Sequence, residues 1–141
     1  GHPTACAAGV AVLQELLSQN FSVQVKEKGE RLHQALQQQF AEHPNVGDVR
    51  GRGLFLGIEL VQDKQTKEPL NPNFNLPEQI RHTAMQHGLL CYPMGGTIDG
   101  RRGHHVLLAP PFIINDAELE LIVERLSSTL NAILPALDQA A

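Results

Sequence analysis

The chain has 141 residues, with Lys+Arg 11 against Asp+Glu 15 and a formal charge of -4. That is one domain's worth of chain, and its balance argues against a nucleic-acid or anionic-membrane binder, which would show a basic patch or tail. Hydrophobic residues make up 42% and aromatics only 4%, so a core can form but must be built from Leu, Ile, Val and Ala.

Pro3 suits a first helical turn, where its missing N–H costs nothing. Behind it Ala5, Ala8, Val12, Leu13 and Leu16 recur at helical spacing, up to a turn at Gln19-Asn20. Ser22 is the expected cap of a second helix running to about His43, with Val25, Leu32, Leu36 and Phe40 as its apolar stripe. Gln34, Gln37, Gln38 and Gln39 read as its solvated face. Two strands follow, Val46–Gly53 and Leu54–Val61, the first interrupted by glycines. Residues 62–76 are polar and read as a loop. Pro77 opens a third helix, with Ile80, Ala84 and Met85 inward and Gly88 as its stop. Leu89–Tyr92 reads as a short strand. Pro93–Gly103 holds four glycines and two arginines and is expected to be an exposed, mobile loop. Val106–Ala109 is another strand, stopped by Pro110-Pro111. Asn115 or Asp116 then caps a last helix, whose stripe of Leu119, Ile122, Val123, Leu126, Leu130, Ile133 and Leu134 has the strongest period in the chain. The order α-α-β-β-α-β-β-α predicts an α+β domain, a small antiparallel or mixed sheet of about four strands with helices on one face.

The longest apolar stretches, roughly ten residues, are too short to span a bilayer. Cys6 and Cys91 form neither a disulfide framework nor a zinc site, and read as small buried apolar residues in a reducing, cytoplasmic setting. The chain opens on Gly1-His2-Pro3 with a helix immediately behind, which reads as a piece of a longer protein.

The chemistry-bearing residues are few. His104 and His105 are adjacent on a strand and point to opposite faces, so they cannot easily share a metal ion. His82 and His87 lie five apart on a helix, poor spacing for a shared ligand. Arg50-Gly51-Arg52-Gly53 resembles half of a phosphate loop without the helix N-terminus such loops need, and its arginines are expected to pair with carboxylates. Arg101 and Arg102 sit between glycines. Adjacent guanidinium groups repel unless an anion is close, so they are the anion-binding candidates; the alternative is two solvated loop arginines. Lys26, Lys28, Lys64 and Lys67 lie on polar helix faces or in a loop, without the apolar setting that turns a lysine into a Schiff-base amine. No catalytic group, metal site or cofactor site is complete in the residues themselves.

Three strings carry a resemblance. Gly1-His2-Pro3-Thr4-Ala5-Cys6-Ala7-Ala8 resembles the G-H-P-x-A-C-A-A helix opening of class III aminotransferases, pyridoxal-phosphate (PLP) enzymes of fold type I. Val49-Arg50-Gly51-Arg52-Gly53-Leu54 with Gly57-Ile58-Glu59-Leu60 resembles their V-R-G-x-G-L…G-I-E-L strand pair. Leu107–Ile114 is similar to their late A-P-P-hydrophobic motif, followed by an acidic cap and a long helix. The resemblance implies the C-terminal small domain of such an enzyme, with residues 1–20 the connecting helix from a PLP domain and 21–141 the small domain itself. It implies PLP in the parent and none bound to this chain, whose cofactor lysine would lie upstream. It implies a homodimer as well, and an amine and a keto acid as substrates. In members using 2-oxoglutarate with ornithine or 4-aminobutyrate donors, an arginine two residues before A-P binds the substrate carboxylate; here that residue is Leu107. The resemblance to the ω-transaminase-like branch implies that a loop arginine takes this role, Arg102 or, as the alternative, Arg101. Relatives reading R-G-D-H have an acid where this chain has His104, which puts the local pairing of Arg102 in question. The competing readings are a non-catalytic binding or dimerisation module and an aminomutase or racemase of the same fold.

Overall fold

The structure, a computed structural model, describes residues 1–138, with side chains through residue 134. The last three residues of the predicted 21–141 unit lie outside the described residues. Helices α1 (Pro3–Ser18) and α2 (Phe21–Gln39) come first, then strands β1 (Val46–Arg52) and β2 (Phe55–Leu60). A 3-10 turn at Pro72–Phe74 precedes α3 (Leu76–Gln86), β3 (Tyr92–Gly95), β4 (His104–Leu108) and α4 (Asp116–Asp138). The fold is α+β in the predicted order. Its sheet has four strands in the order β1-β2-β4-β3, antiparallel at every pairing.

Strand periodicity divides the sheet into two unlike faces. Leu56, Ile58 and Leu60 of β2 and Val106 and Leu108 of β4 are buried on one face. Against them lie Leu32, Leu36 and Phe40 from α2 and its end, Leu76, Ile80 and Ala84 from α3, and Leu119, Leu126, Leu130 and Leu134 from α4. Each large side chain taken from water there contributes roughly 1.5–3 kcal/mol. The alternate residues, Phe55, Gly57 and Glu59 of β2 and His105 and Leu107 of β4, face away from this core. Asn115 fixes the start of α4 with a reciprocal capping box: its Oδ1 accepts the Glu118 N–H at 3.0 Å, and the Glu118 carboxylate accepts the Asn115 N–H at 2.9 Å.

Several expectations are corrected. Asn20, in the left-handed region at φ 51, reverses the chain so tightly that α2 begins at Phe21, leaving Ser22 inside the helix rather than capping it; α2 then ends at Gln39, short of His43. Leu89 belongs to the end of α3, not to a strand. Gly88 adopts φ 74, and the Leu89 N–H reaches back to the Ala84 carbonyl at 2.8 Å, a Schellman-type closure that moves the strand on to Tyr92–Gly95. Met85 faces solvent, 59% exposed. Cys6 is exposed because α1 buries none of its residues; Cys91 is half-buried, and burial pushes its thiol up to about 11.

Candidate functional site

The face turned away from the helices has an apolar end and a polar end. Cross-strand register sets Leu107 beside Gly57 on one side and Tyr92 on the other. Gly57 leaves Leu107 room: a Cβ there would lie 3.5 Å from a Leu107 methyl. Phe55 and Tyr92 are about 60% exposed. Together with Leu90, Leu107, Pro111 and Leu121 they line an open groove of about 800 Å³. One register step along, Asp48, Glu59, His105 and Met94 form the next row. Arg50 spans it, giving Nη1 to Asp48 at 2.9 Å and to Glu59 at 2.6 Å, and these two bonds raise its pKa, Glu59 contributing most. Arg52 was expected to pair in the same way, but among the described residues its guanidinium has no partner. Its register partner is Phe55, and Arg52 lines a cleft with Lys26, Glu30 and His33 of α2.

The turn carrying the two candidate arginines is internally bonded. The Ile98 N–H meets the Arg102 carbonyl at 2.9 Å, the Gly100 N–H meets the Gly96 carbonyl at 2.9 Å, and Thr97 closes on the Gly103 carbonyl at 3.3 Å. Gly96, Gly100 and Gly103 all have positive φ, and a Cβ on Gly103 would come within 2.9 Å of the Ile98 side chain. Thr97 Oγ1 and His105 Nδ1 share a 2.6 Å hydrogen bond that ties the turn to the polar end of the sheet. The expected loop over 93–103 is thus part strand and part bonded turn; both arginines remain exposed, as expected.

Sequence reasoning missed Asp99, which organises the turn. Its Oδ1 accepts the N–H groups of Arg101 (3.0 Å) and Arg102 (2.7 Å), and its Oδ2 accepts from Arg102 Nε at 2.7 Å. The available signal was Asp-Gly followed by two cations, an Asx-turn pattern. The Arg102 N–H, then its guanidinium, then the Arg101 N–H hold the Asp99 carboxyl down at about 2. Arg102 is therefore paired, by an acid that precedes it, while the Arg101 guanidinium has no partner among the described residues.

His104 and His105 do point to opposite faces. His104 is 4% exposed, and its Nδ1 has no hydrogen-bond partner. It packs near Gly95 and Pro77, on the buried face of β4. Burial lowers its pKa below 6.5, with the charge of His105 adding; burial also leads in lowering His43 and His105. Folding therefore disfavours the protonated form of all three, so their stabilising balance is complete above pH 6.5 and is lost as pH falls below it. The denaturation midpoint is expected to be lower at about pH 5 than at about pH 7.5, and His104→Leu should flatten that slope. A midpoint unchanged or higher at the acidic end contradicts this.

The lysines offer no cofactor site. Lys28 donates to the Phe112 carbonyl at 3.0 Å, Lys64 to the carbonyls of Phe40 and Ala41, and Lys67 to that of Gly47. Lys26 is exposed on α2. None is buried in an apolar pocket, so the residues present do not fit PLP attachment.

These features define an α+β domain of the kind found in PLP fold type I transaminases, with one sheet face open beside an arginine turn. A family model described as "Aminotransferase class-III" matches residues 1–130, and the chain belongs to that family. It is 44% identical over 136 residues to an uncharacterized aminotransferase of Schizosaccharomyces pombe, covering 96% of this chain and 30% of that protein. It is 36% identical over 132 residues to the uncharacterized aminotransferase YodT of Bacillus subtilis, covering 94% of this chain and 30% of that one. An (S)-enantioselective ω-transaminase from Thermomicrobium roseum superposes with a TM-score of 0.83 at 32% identity, over 95% of this chain and 28% of that one. A PMP-bound aminotransferase from Vibrio fluvialis gives a TM-score of 0.83 at 28% identity, over 97% of this chain and 28% of that one. The chain spans 25–30% of the length of these curated relatives and others it matches.

Proposed function

We propose that this chain is the C-terminal small domain of a PLP-dependent class III transaminase of the ω-transaminase type. In this reading residues 1–20 connect to a cofactor-bearing domain, and the remainder closes over its site. The parent moves an amino group from an amine or ω-amino acid to a keto acid. PLP supplies the chemistry that activates the amino group, from a lysine outside this chain. This chain's residues bind and orient the substrate: the open apolar groove beside Leu107 receives the uncharged substituent, and a turn arginine, Arg102 or else Arg101, receives the carboxylate.

The observation that carries the reading is the placement of charge on the open face. Leu107, in the middle of its apolar end, cannot hold a carboxylate, whereas at the other end of the same hairpin the turn carries two arginines whose outer Nη edges have no partner among the described residues. A second subunit and the cofactor domain are the proposed partners, and α1 supports this: Val10, Val12, Leu13 and Leu17 are each more than half exposed.

The test is whether the chain needs the rest of the enzyme. Incubated with PLP and borohydride, the 141-residue chain is expected to gain no stoichiometric adduct on one lysine and to show no amino transfer from an amine to pyruvate. A single labelled lysine with turnover would overturn the reading.

A further inference from the structure

We infer that Asp99 is the resting anchor of the substrate-binding arginine, a positioning residue that holds Arg102 on the turn until a substrate carboxylate competes for its guanidinium. This rests on the role of Arg102 proposed above.

The two oxygens of Asp99 do different jobs. Oδ1 is fixed by the main chain, accepting the Arg101 and Arg102 N–H groups, so the carboxylate stays in place whether or not the Arg102 side chain does. Oδ2 takes Arg102 Nε alone, and the outer Nη edge of that guanidinium has no partner among the described residues. A planar group held at Nε and open at Nη can meet an incoming carboxylate before it lets go of the first.

The pair is also weak enough to exchange. Its side chains are 56% and 41% exposed, and ion pairs so open to water contribute little. A substrate carboxylate meeting Arg102 in a closed, water-poor site has the advantage, because the same attraction grows as the dielectric falls. When an uncharged group is bound instead, Asp99 takes the guanidinium back, and the cation is not left unpaired. With its carboxyl held down at about 2, Asp99 stays ionised throughout the neutral range, so the anchor is present at any working pH.

Part of the binding-competent Arg102 is thereby withheld from substrate, and apparent affinity falls by the fraction withheld. Asp99→Asn keeps an oxygen for the two main-chain N–H groups but removes the charge that holds Nε. Two measurements test the idea. In the 141-residue chain, the Arg102 Nε–H resonance should be shielded from exchange with water, and Asp99→Asn should lose that shielding. In the whole enzyme, Asp99→Asn should lower KM for an anionic keto acid about two- to fivefold, the span of an exposed ion pair. Its kcat and its KM for an uncharged amine should stay within about twofold. Asp99→Ala, which also breaks the turn, should impair both substrates. Unchanged or raised keto-acid KM in Asp99→Asn, an equal change for both substrates, or an Nε–H still shielded in the variant would overturn the anchor. An Arg102→Ala enzyme separates the two ideas. If it leaves keto-acid KM unchanged, the role of Arg102 has failed; if it raises KM while Asp99→Asn does nothing, the anchor alone has failed.

Discussion

Gly29→Ala is expected to destabilise the domain by about 2 kcal/mol, against a helix propensity that argues the other way. In an exposed helix interior, replacing Gly by Ala gains about 1 kcal/mol. Gly29, however, is buried in the middle of α2, where that helix meets the β1–β2 turn. A Cβ there would stand 2.3 Å from both the carbonyl carbon and the oxygen of Gly53, and 2.6 Å from its Cα. All three atoms are main chain, so no side chain can swing aside. Gly53 is itself held at φ 55 with Val25 against it, and Gly51, at φ 152, would drive a Cβ to 2.2 Å from the Phe55 carbonyl. The turn therefore has no easy direction of retreat. Overpacking a well-filled site costs about 1–3 kcal/mol, and a main-chain clash lies at the top of that range. Set against a total stability of about 5–15 kcal/mol, the clash outweighs the gain in propensity. Urea denaturation of the chain should show a clearly lower midpoint for Gly29→Ala; a midpoint equal to or above the parent's would refute the close approach. The prediction bears on the candidate site because the β1–β2 turn leads into Phe55, which lines the open groove.

That close approach also shows where the sequence stopped being legible. Helix α4 could be read from its stripe because every position in it meets the core: Leu119, Leu126, Leu130, Ile133 and Leu134 are buried, and Ile122 and Val123 pack against them. β2 could be read from period two. The glycines of β1 announced a close approach but not its partner, because Gly29 lies 24 residues before Gly53 and a sequence does not show which helix will arrive there. The strand after α3 was misplaced because Leu89 is apolar for a different reason: it closes a helix end before the strand begins. The arginines of the turn were visible as a charge doublet. What they pair with was not, because Asp99 acts through a turn geometry that no periodicity reports, and position 104, the family's acid, is here a histidine that points into the core. The open face, finally, could be anticipated only as one side of a sheet; that it sorts into an apolar end at Leu107 and a polar end at Glu59 and His105, to which Arg50 reaches, follows from cross-strand register, which is set in three dimensions.

In the whole enzyme, Arg102→Ala is expected to raise KM for pyruvate or a similar keto acid by about tenfold or more while leaving an uncharged amine donor nearly unaffected. The magnitude is a balance of two pairings. A charge-assisted hydrogen bond to a carboxylate contributes about 1.5–3 kcal/mol, equivalent to about 10–100-fold in affinity. Leaving Asp99 subtracts only the small worth of an exposed pair, so most of the gain survives. An amine without a carboxylate never uses the arginine and should be spared. Arg102→Lys should recover little, since an ammonium lacks the planar edge that meets a carboxylate with two bonds. Arg101 supplies the comparison. Its guanidinium has no partner among the described residues, while its main-chain N–H is held at the same acid. If Arg101→Ala produces the selective loss and Arg102→Ala does not, the cation that meets the substrate is Arg101, and the turn serves to aim it. Steady-state kinetics with one keto acid and one neutral amine decide the matter. Losses equal for both substrates in both variants, or no loss in either, would mean that the arginines stay solvated and that the carboxylate finds its cation elsewhere, with Arg52 the next to test.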